Sequence, residues 1–204
     1  MIVPDARSAP LDVPTWIVLG SFPVVRADGM HALIRVARAG DPAAVGAILE
    51  QVRRAAPLVW PEIAVAAVVV PVPGHLPLPP DRLVVTLADE IADGRGWHRI
   101  GATLQRHRAA PEAKAGGPRD PRAEAATLEW RPPQQGRVIV LIDDVVRTGA
   151  TLRACAGAIR IAGDERPVVA VALAAAVAVA GTASSDLGLA VLSNRVADAE
   201  TADR

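Results

Sequence analysis

Short runs that are almost continuously apolar and rich in valine constrain the fold of this 204-residue chain more than any other feature. Three of them cover residues 63–72, 137–142 and 167–174, and a shorter run covers residues 15–19. A strand that is apolar on both faces is usually buried between two layers, and stretches with helical spacing lie between these runs. The alternation predicts an α/β fold with a parallel sheet that is covered by helices on both faces.

Four helices are predicted between the strands, and two of them have clear start signals. Asp41 is a good N-cap and Pro42 suits the first helical position. Apolar residues at helical spacing also follow Met30 and Asp81, and another helix is expected from Ala150 onward. These helices could cover the predicted sheet.

Composition excludes several classes of protein. The chain has 22 basic and 22 acidic residues, so it is not expected to coat nucleic acid with its whole surface. Its single cysteine, Cys155, excludes an internal disulfide and a cysteine-based zinc site. The N-terminal residues lack the apolar run of a signal peptide, and the longest apolar tract, residues 168–181, is too short to span a bilayer. We therefore expect a cytoplasmic protein with no membrane span.

The chain is predicted to form a single domain over residues 15–192, with a loose lead-in at 1–14 and a tail at 193–204. Residues 98–130 show little periodicity and contain three prolines. Residues 95–122 hold seven basic and two acidic side chains, a local net charge of +5. A long basic segment of this kind predicts a flexible lid or insertion, although a solvated surface loop remains the alternative.

The most informative motif is DDVVRTGATL, which follows the buried strand at residues 138–142. The strand brings Asp143 and Asp144 to its carboxyl end, and a turn containing Gly149 opens the next helix. Ligands of open α/β sheets bind at that edge, and a helix N-terminus attracts phosphate. Carboxylates can accept hydrogen bonds from sugar hydroxyls, so a sugar phosphate would satisfy both parts of the motif. A plain, solvated strand end is the alternative.

This motif resembles the binding motif for 5-phosphoribosyl 1-diphosphate (PRPP) in type I phosphoribosyltransferases. The order of strands and helices is most similar to the ComF-like branch, which is associated with DNA uptake; the N-terminal zinc module of that branch is lacking here. The resemblance implies a Rossmann-like parallel-sheet fold with a flexible hood over residues 98–130. It also implies transfer of ribose 5-phosphate from PRPP to a nitrogen nucleophile, with release of pyrophosphate.

The same resemblance implies roles for individual residues. Asp143 and Asp144 would be the catalytic pair that binds the ribose hydroxyls. The 5-phosphate would be held by Arg147, Thr148, Gly149, Ala150 and Thr151. The pyrophosphate loop, in which such enzymes often have a strained or cis peptide, would comprise Val72, Pro73 and Gly74. The basic hood residues would be Arg106 and Arg108.

Cofactor and partners follow from the resemblance as well. Magnesium would enter bound to PRPP rather than on a protein-only metal site, and the acceptor would be a nucleobase-like molecule or an amine. The branch usually has Arg-Gly-Phe-Asn after the pyrophosphate loop, whereas residues 79–82 here read Pro-Pro-Asp-Arg. A non-catalytic protein that binds PRPP or nucleotides therefore remains open, with single-stranded DNA or competence proteins as partners. A homodimer is compatible with either reading.

Overall fold

A six-stranded sheet with helices on both faces forms the centre of this computed structural model. The structure describes residues 15–18, 30–59, 66–101, 103–111, 120–146, 149–175 and 190–192. Its elements are β1 (Thr15–Val18), α1 (Met30–Arg38), α2 (Pro42–Val59), β2 (Ala67–Pro71), α3 (Arg82–Arg95), β3 (His98–Arg99), β4 (Leu104–Arg106), α4 (Pro121–Ala125), β5 (Leu128–Trp130), β6 (Val138–Val146), α5 (Ala150–Ile161), β7 (Val168–Ala175) and β8 (Ala190–Leu192). The predicted lead-in and tail lie outside the described residues.

The strand order in the main sheet is β3-β2-β6-β7-β1-β8. The strands β1, β2, β6 and β7 are parallel, the two-residue β3 extends the parallel part, and β8 is antiparallel to β1. Parallel strands need crossover connections, which the helices provide. The prediction of a Rossmann-like α/β fold with a parallel sheet is confirmed.

Two apolar clusters lie on opposite faces of the sheet, as the alternation of side chains along a strand requires. On one face, α1, α2 and α3 cover Val69 of β2 and Val140 and Ile142 of β6. On the other face, α5 and the β4–β5 pair cover Val70 of β2 and Leu141 of β6. The central strands are therefore buried from both sides, which explains why β2 and the first five residues of β6 are apolar.

Caps determine where the helices begin and end. Asp41 lies one residue before α2, and its carboxylate accepts a hydrogen bond from the Ala44 amide at 2.8 Å. Asp81 accepts from the Leu83 amide at 2.8 Å and so caps α3, which ends at Gly96 in the left-handed conformation. Both predicted starts are confirmed. Among the residues that the structure describes, no helix is long and apolar enough to cross a membrane.

The segment 98–130 differs from the irregular lid that its sequence predicts. Its described residues form β3 at the sheet edge, the antiparallel pair β4–β5, and the short helix α4 against α5. The buried side chains Leu104, Leu128 and Trp130 belong to the apolar cluster that also contains Leu141 of β6. The Trp130 indole also donates to the Asp164 carboxylate at 2.9 Å. These described parts of the segment belong to the core.

Candidate functional site

The chain reverses direction across the sheet between β2 and β6. From β2 it continues through α3 to β3 on one side, and from β6 it continues through α5 to β7 on the other. The helices α3 and α5 lie on opposite faces, so the loops that follow β2 and β6 separate above the carboxyl ends of these two strands. Such a topological switch point is where open α/β sheets bind their ligands. Both predicted site segments, 72–74 and 143–151, begin there.

Asp144 occupies a different environment from the solvent-accessible one expected of a ribose ligand. Strand β6 continues past it and pairs with β7 as far as Val146. Both Asp144 carboxylate oxygens accept from Arg38 of α1, at 2.5 Å from Nε and 2.7 Å from Nη2. The Asp144 side chain is only 1% exposed. Asp144 is therefore paired and buried in this structure.

Asp143 is the more accessible carboxylate of the pair, and it is half-buried. Its Oδ1 accepts from the Asp144 amide at 2.9 Å. Burial and the neighbouring Asp144 charge raise the pKa of Asp143 to about 7, although the Asp144 amide and Arg38 act in the opposite direction. Asp143 therefore changes its charge near neutral pH.

The turn after β6 ends at Gly149, which is the N-cap of α5. Its φ of 72° and ψ of 8° are left-handed, and as a glycine it has no side chain with which to cap the helix. A residue with a Cβ is strained in this conformation, which explains the glycine. Ala150 is buried and Thr151 is half-buried in the first turn of α5, while Arg147 and Thr148 lie outside the described residues. The described part of the motif thus brings a glycine turn and a helix N-terminus beside Asp143.

The loop after β2 begins beside strand β6. The Val72 amide donates to the Ile142 carbonyl at 2.9 Å, which extends the β2–β6 pairing by one residue. Val72 and Pro73 are buried and Gly74 is exposed. This loop has neither a cis peptide nor a glycine in the left-handed region, so the strained or cis peptide of the family is not found at these positions.

Arg106, one of the two basic residues assigned to the predicted hood, is buried and makes several internal contacts. Its side chain is 0% exposed, as is that of its partner Glu124, whose Oε1 accepts from Nη2 at 2.9 Å. Arg106 also donates to the Thr127 hydroxyl, and its Nε donates to the Gly74 carbonyl at 2.5 Å. The second Glu124 oxygen is buried and has no hydrogen-bond partner. Arg106 therefore fixes the predicted pyrophosphate loop from below.

Other described basic residues in or next to the predicted hood also make internal contacts. Arg108 is exposed and donates to the Ala126 carbonyl at 3.1 Å. Arg99 forms an ion pair with Asp89, and the Arg95 guanidinium lies 5.3 Å from the centre of the Trp97 ring. Internal contacts therefore use a substantial part of the local positive charge.

A cavity of about 380 Å³ opens beside the loop that follows β2. It is lined by Pro73, Pro77, Leu78, Pro79, Pro80, Leu104, Gln105 and Arg106. Most of these side chains are apolar, and the prolines present rigid carbon surfaces. The cavity has the dimensions and the lining of a small-molecule site.

Sequence reasoning missed Arg38 and Glu124, the two residues whose partners define the electrostatics of the site. Arg38 is a basic residue in the last turn of α1, where a positive charge also complements the helix dipole, so its sequence position gave no reason to place it at the site. Glu124 lies in a segment whose sequence predicts no helix. Both pairings join residues distant in sequence, so only the assembled fold shows them.

The site contains carboxylates but no group of metal ligands within one chain segment or cluster. Across the described residues, no three or more histidine, cysteine or carboxylate side chains are grouped so that they could hold a metal ion.

Comparisons with known proteins give little for this chain. No protein-family model matches it, and no curated protein matches it significantly. Among solved structures, it is similar to TT1426 from Thermus thermophilus, with 20% sequence identity over 71% of this chain and 86% of that chain, at a TM-score of 0.29. The fold described above therefore rests on this chain's own strands and helices.

Proposed function

We propose that this chain binds PRPP above the carboxyl ends of β2 and β6 and transfers ribose 5-phosphate to a nitrogen nucleophile, releasing pyrophosphate. The observation that carries the proposal is the topology. The motif DDVVRTGATL and the loop at residues 72–74 come from separate parts of the sequence, yet both begin at the switch point between β2 and β6. A sugar carrying phosphates at both ends would contact both segments.

The 5-phosphate would bind at the start of α5. The left-handed Gly149 lets the backbone approach the ligand, and it adds no side chain between the ligand and the helix. The Thr151 hydroxyl, in the first turn, would add a donor to the backbone amides and the helix dipole. Phosphate binding at such a terminus needs no lysine, which agrees with a chain whose one lysine, Lys114, lies far from this motif in sequence.

The sugar and the diphosphate would lie between this turn and the loop after β2. Asp143 is the carboxylate best placed to accept a ribose hydroxyl, and the loop at 72–74 is held by Arg106 for the diphosphate. Catalysis would come mainly from positioning and from stabilisation of the developing charge. Magnesium bound with PRPP would neutralise part of the diphosphate charge. The cavity of about 380 Å³ beside Pro73 is large enough for a nucleobase-sized acceptor.

Titration calorimetry of two threonine variants tests the 5-phosphate assignment. Thr151→Val removes the hydroxyl in the first turn of α5, and we expect Mg-PRPP and ribose 5-phosphate each to bind at least tenfold more weakly. Thr86→Val is the matched control, because the Thr86 hydroxyl donates to the Arg82 carbonyl within α3. Its affinity should stay within twofold of the original chain. Unchanged affinity in Thr151→Val would contradict the assignment.

A non-catalytic PRPP-binding protein is the second candidate, and the Arg38–Asp144 ion pair favours it. That pair removes one of the two acidic groups from contact with solvent. Pyrophosphate release separates the two candidates: the chain is incubated with Mg-PRPP and a panel of nucleobases and amines. Release above the acceptor-free rate supports the transferase. PRPP binding without any release supports the binding protein.

A further inference from the structure

Arg38 lies at the end of α1, beside the carboxyl edge of the sheet, and no part of the proposed function uses it. Its guanidinium approaches both oxygens of Asp144 in a two-pronged contact, at 2.5 and 2.7 Å. The Arg38 side chain is 48% exposed, whereas the Asp144 side chain is 1% exposed. The arginine therefore covers the carboxylate and faces the surrounding solution on its other side.

The contact closes Asp144 to any sugar. A ribose hydroxyl would have to displace the guanidinium before it could reach either carboxylate oxygen. A displaced guanidinium carries an uncompensated charge and a planar set of donors. Such a group binds the oxygens of a phosphate in the same two-pronged geometry that it uses with a carboxylate.

The surroundings of Arg38 place it between the two segments that would hold the ligand. Its positive charge interacts with Asp144 and Asp143 of β6 and also with Asp81, the residue that caps α3 after the 72–80 loop. An anion that enters between these segments therefore comes within reach of Arg38. Arg35, one turn earlier on the same helix, is exposed and belongs to no ion pair among the described residues.

We propose that Arg38 binds the diphosphate of the ligand and exchanges partners when it does so. In the empty protein it holds Asp144 closed. In the loaded protein it contacts the diphosphate, and Asp144 becomes free to accept a hydroxyl of the ribose. This inference rests on the proposed function, and it adds a diphosphate-specific residue to that site together with a reason why sugar and diphosphate must bind together.

The test measures binding of inorganic pyrophosphate, ribose 5-phosphate and PRPP, each with magnesium, by calorimetry. Asp144→Asn weakens the hold on Arg38, so pyrophosphate should bind several-fold more tightly than to the original chain. The double variant R38M/D144N has the same net charge as the original chain and contains no unpaired buried carboxylate. Its pyrophosphate affinity should fall at least tenfold below that of the original chain. The change in ribose 5-phosphate affinity should be the same in D144N and in the double variant.

Arg35→Met is the control for loss of one positive charge from α1, and its pyrophosphate affinity should change less than threefold. Equal pyrophosphate affinity in the original chain, D144N and R38M/D144N would overturn the role of Arg38, even where PRPP binds normally. Failure of the original chain to bind both PRPP and ribose 5-phosphate would instead overturn the proposed function. Circular dichroism establishes that each variant is folded before binding is measured.

Discussion

At the scale of single residues, the two adjacent acids of β6 have separate roles. Asp144 is compensated by Arg38, whereas Asp143 bears the cost of burial and of its acidic neighbour. The sequence presents them as an equivalent pair, and nothing in DD distinguishes one from the other. The difference arises because α1 packs on one face of the sheet and presents Arg38, which hydrogen-bonds to Asp144 and acts on Asp143 only through its charge.

The stability of the protein should depend on pH through Asp143. Its folded pKa of about 7 lies above the unfolded value of 3.8, so the folded state binds the proton more tightly. The contribution of Asp143 to stability is therefore fully present below about pH 4 and is lost as the pH rises from 4 to 7. Asp143→Asn abolishes this loss and should stabilise the protein at pH 8 by about 2 kcal/mol, a value below the full shift because the carboxylate is partly open to solvent.

Urea unfolding at pH 4 and pH 8 measures this effect as a difference between the variant and the original chain. The difference in the free energy of unfolding should be near zero at pH 4, and at pH 8 the variant should be the more stable of the two. Glu50→Gln, at an exposed position of α2, is the control and should show no such change. A variant that is no more stable than the original chain at pH 8 would contradict the assigned pKa.

At the scale of elements, local signals in the sequence located the helices and central strands well. Asp41 and Asp81 cap their helices as predicted, because capping depends on residues only a few positions apart. The elements β4, α4 and β5 were missed for the opposite reason. They are three to five residues long and are stabilised by contacts with α5 and the sheet, so their own sequence carries almost no periodicity.

The turn into β6 requires a glycine for two reasons that can be separated. Gly136 has a φ of 78°, and a Cβ there would overlap the Val68 side chain and lie 3.0 Å from its amide nitrogen. Gly163 has a φ of 79° and open space around the same position. Gly163→Ala should cost about 1 kcal/mol from backbone strain alone. Gly136→Ala should cost at least about 2 kcal/mol more, because β2 or the turn must shift.

Thermal and urea unfolding of the two glycine variants provide the comparison. Equal destabilisation would show that β2 accommodates the added methyl group without cost. The Arg137 amide donates to the Ala66 carbonyl at 2.8 Å, which indicates a rigid pairing of β2 with β6 at this end. Equal destabilisation would show that the pairing there is looser than this hydrogen bond indicates.

The buried pair Arg106–Glu124 connects β4 with α4 and with the loop after β2. Arg106→Met leaves the Glu124 charge buried without a partner and should destabilise the protein by about 3–5 kcal/mol. R106M/E124L removes both charges and should recover most of that loss. Arg108→Met, at an exposed position two residues further, should change stability by less than about 0.5 kcal/mol. Urea unfolding measures all three. Similar losses in the single and double variants would contradict an electrostatic cause.

At the scale of the whole molecule, the site depends on chain order more than on any single element. The loop after β2 and the turn after β6 are about 70 residues apart in sequence, and they meet because both strands are central and parallel. The sequence could predict that each lies at a carboxyl edge, since apolar runs identify buried strands. It could not predict that β2 and β6 are neighbours, because strand order depends on crossovers through helices whose positions no local pattern specifies.

The same architecture predicts how the molecule opens. The Arg131 amide donates to Thr103 at 2.7 Å and the His107 amide to Thr127 at 3.0 Å, at the two ends of the β4–β5 pair. Since this pair shares one apolar cluster with β6, we expect hydrogen exchange at both amides to be within about tenfold of the slowest amides of β6. The Leu78 amide, in the exposed loop after β2, is the fast reference.

A separately moving lid would instead exchange orders of magnitude faster than β6, because it could open while the sheet stays folded. Exchange measured by NMR with and without Mg-PRPP distinguishes these cases, since binding should slow the loop without changing the ratio between β4–β5 and β6.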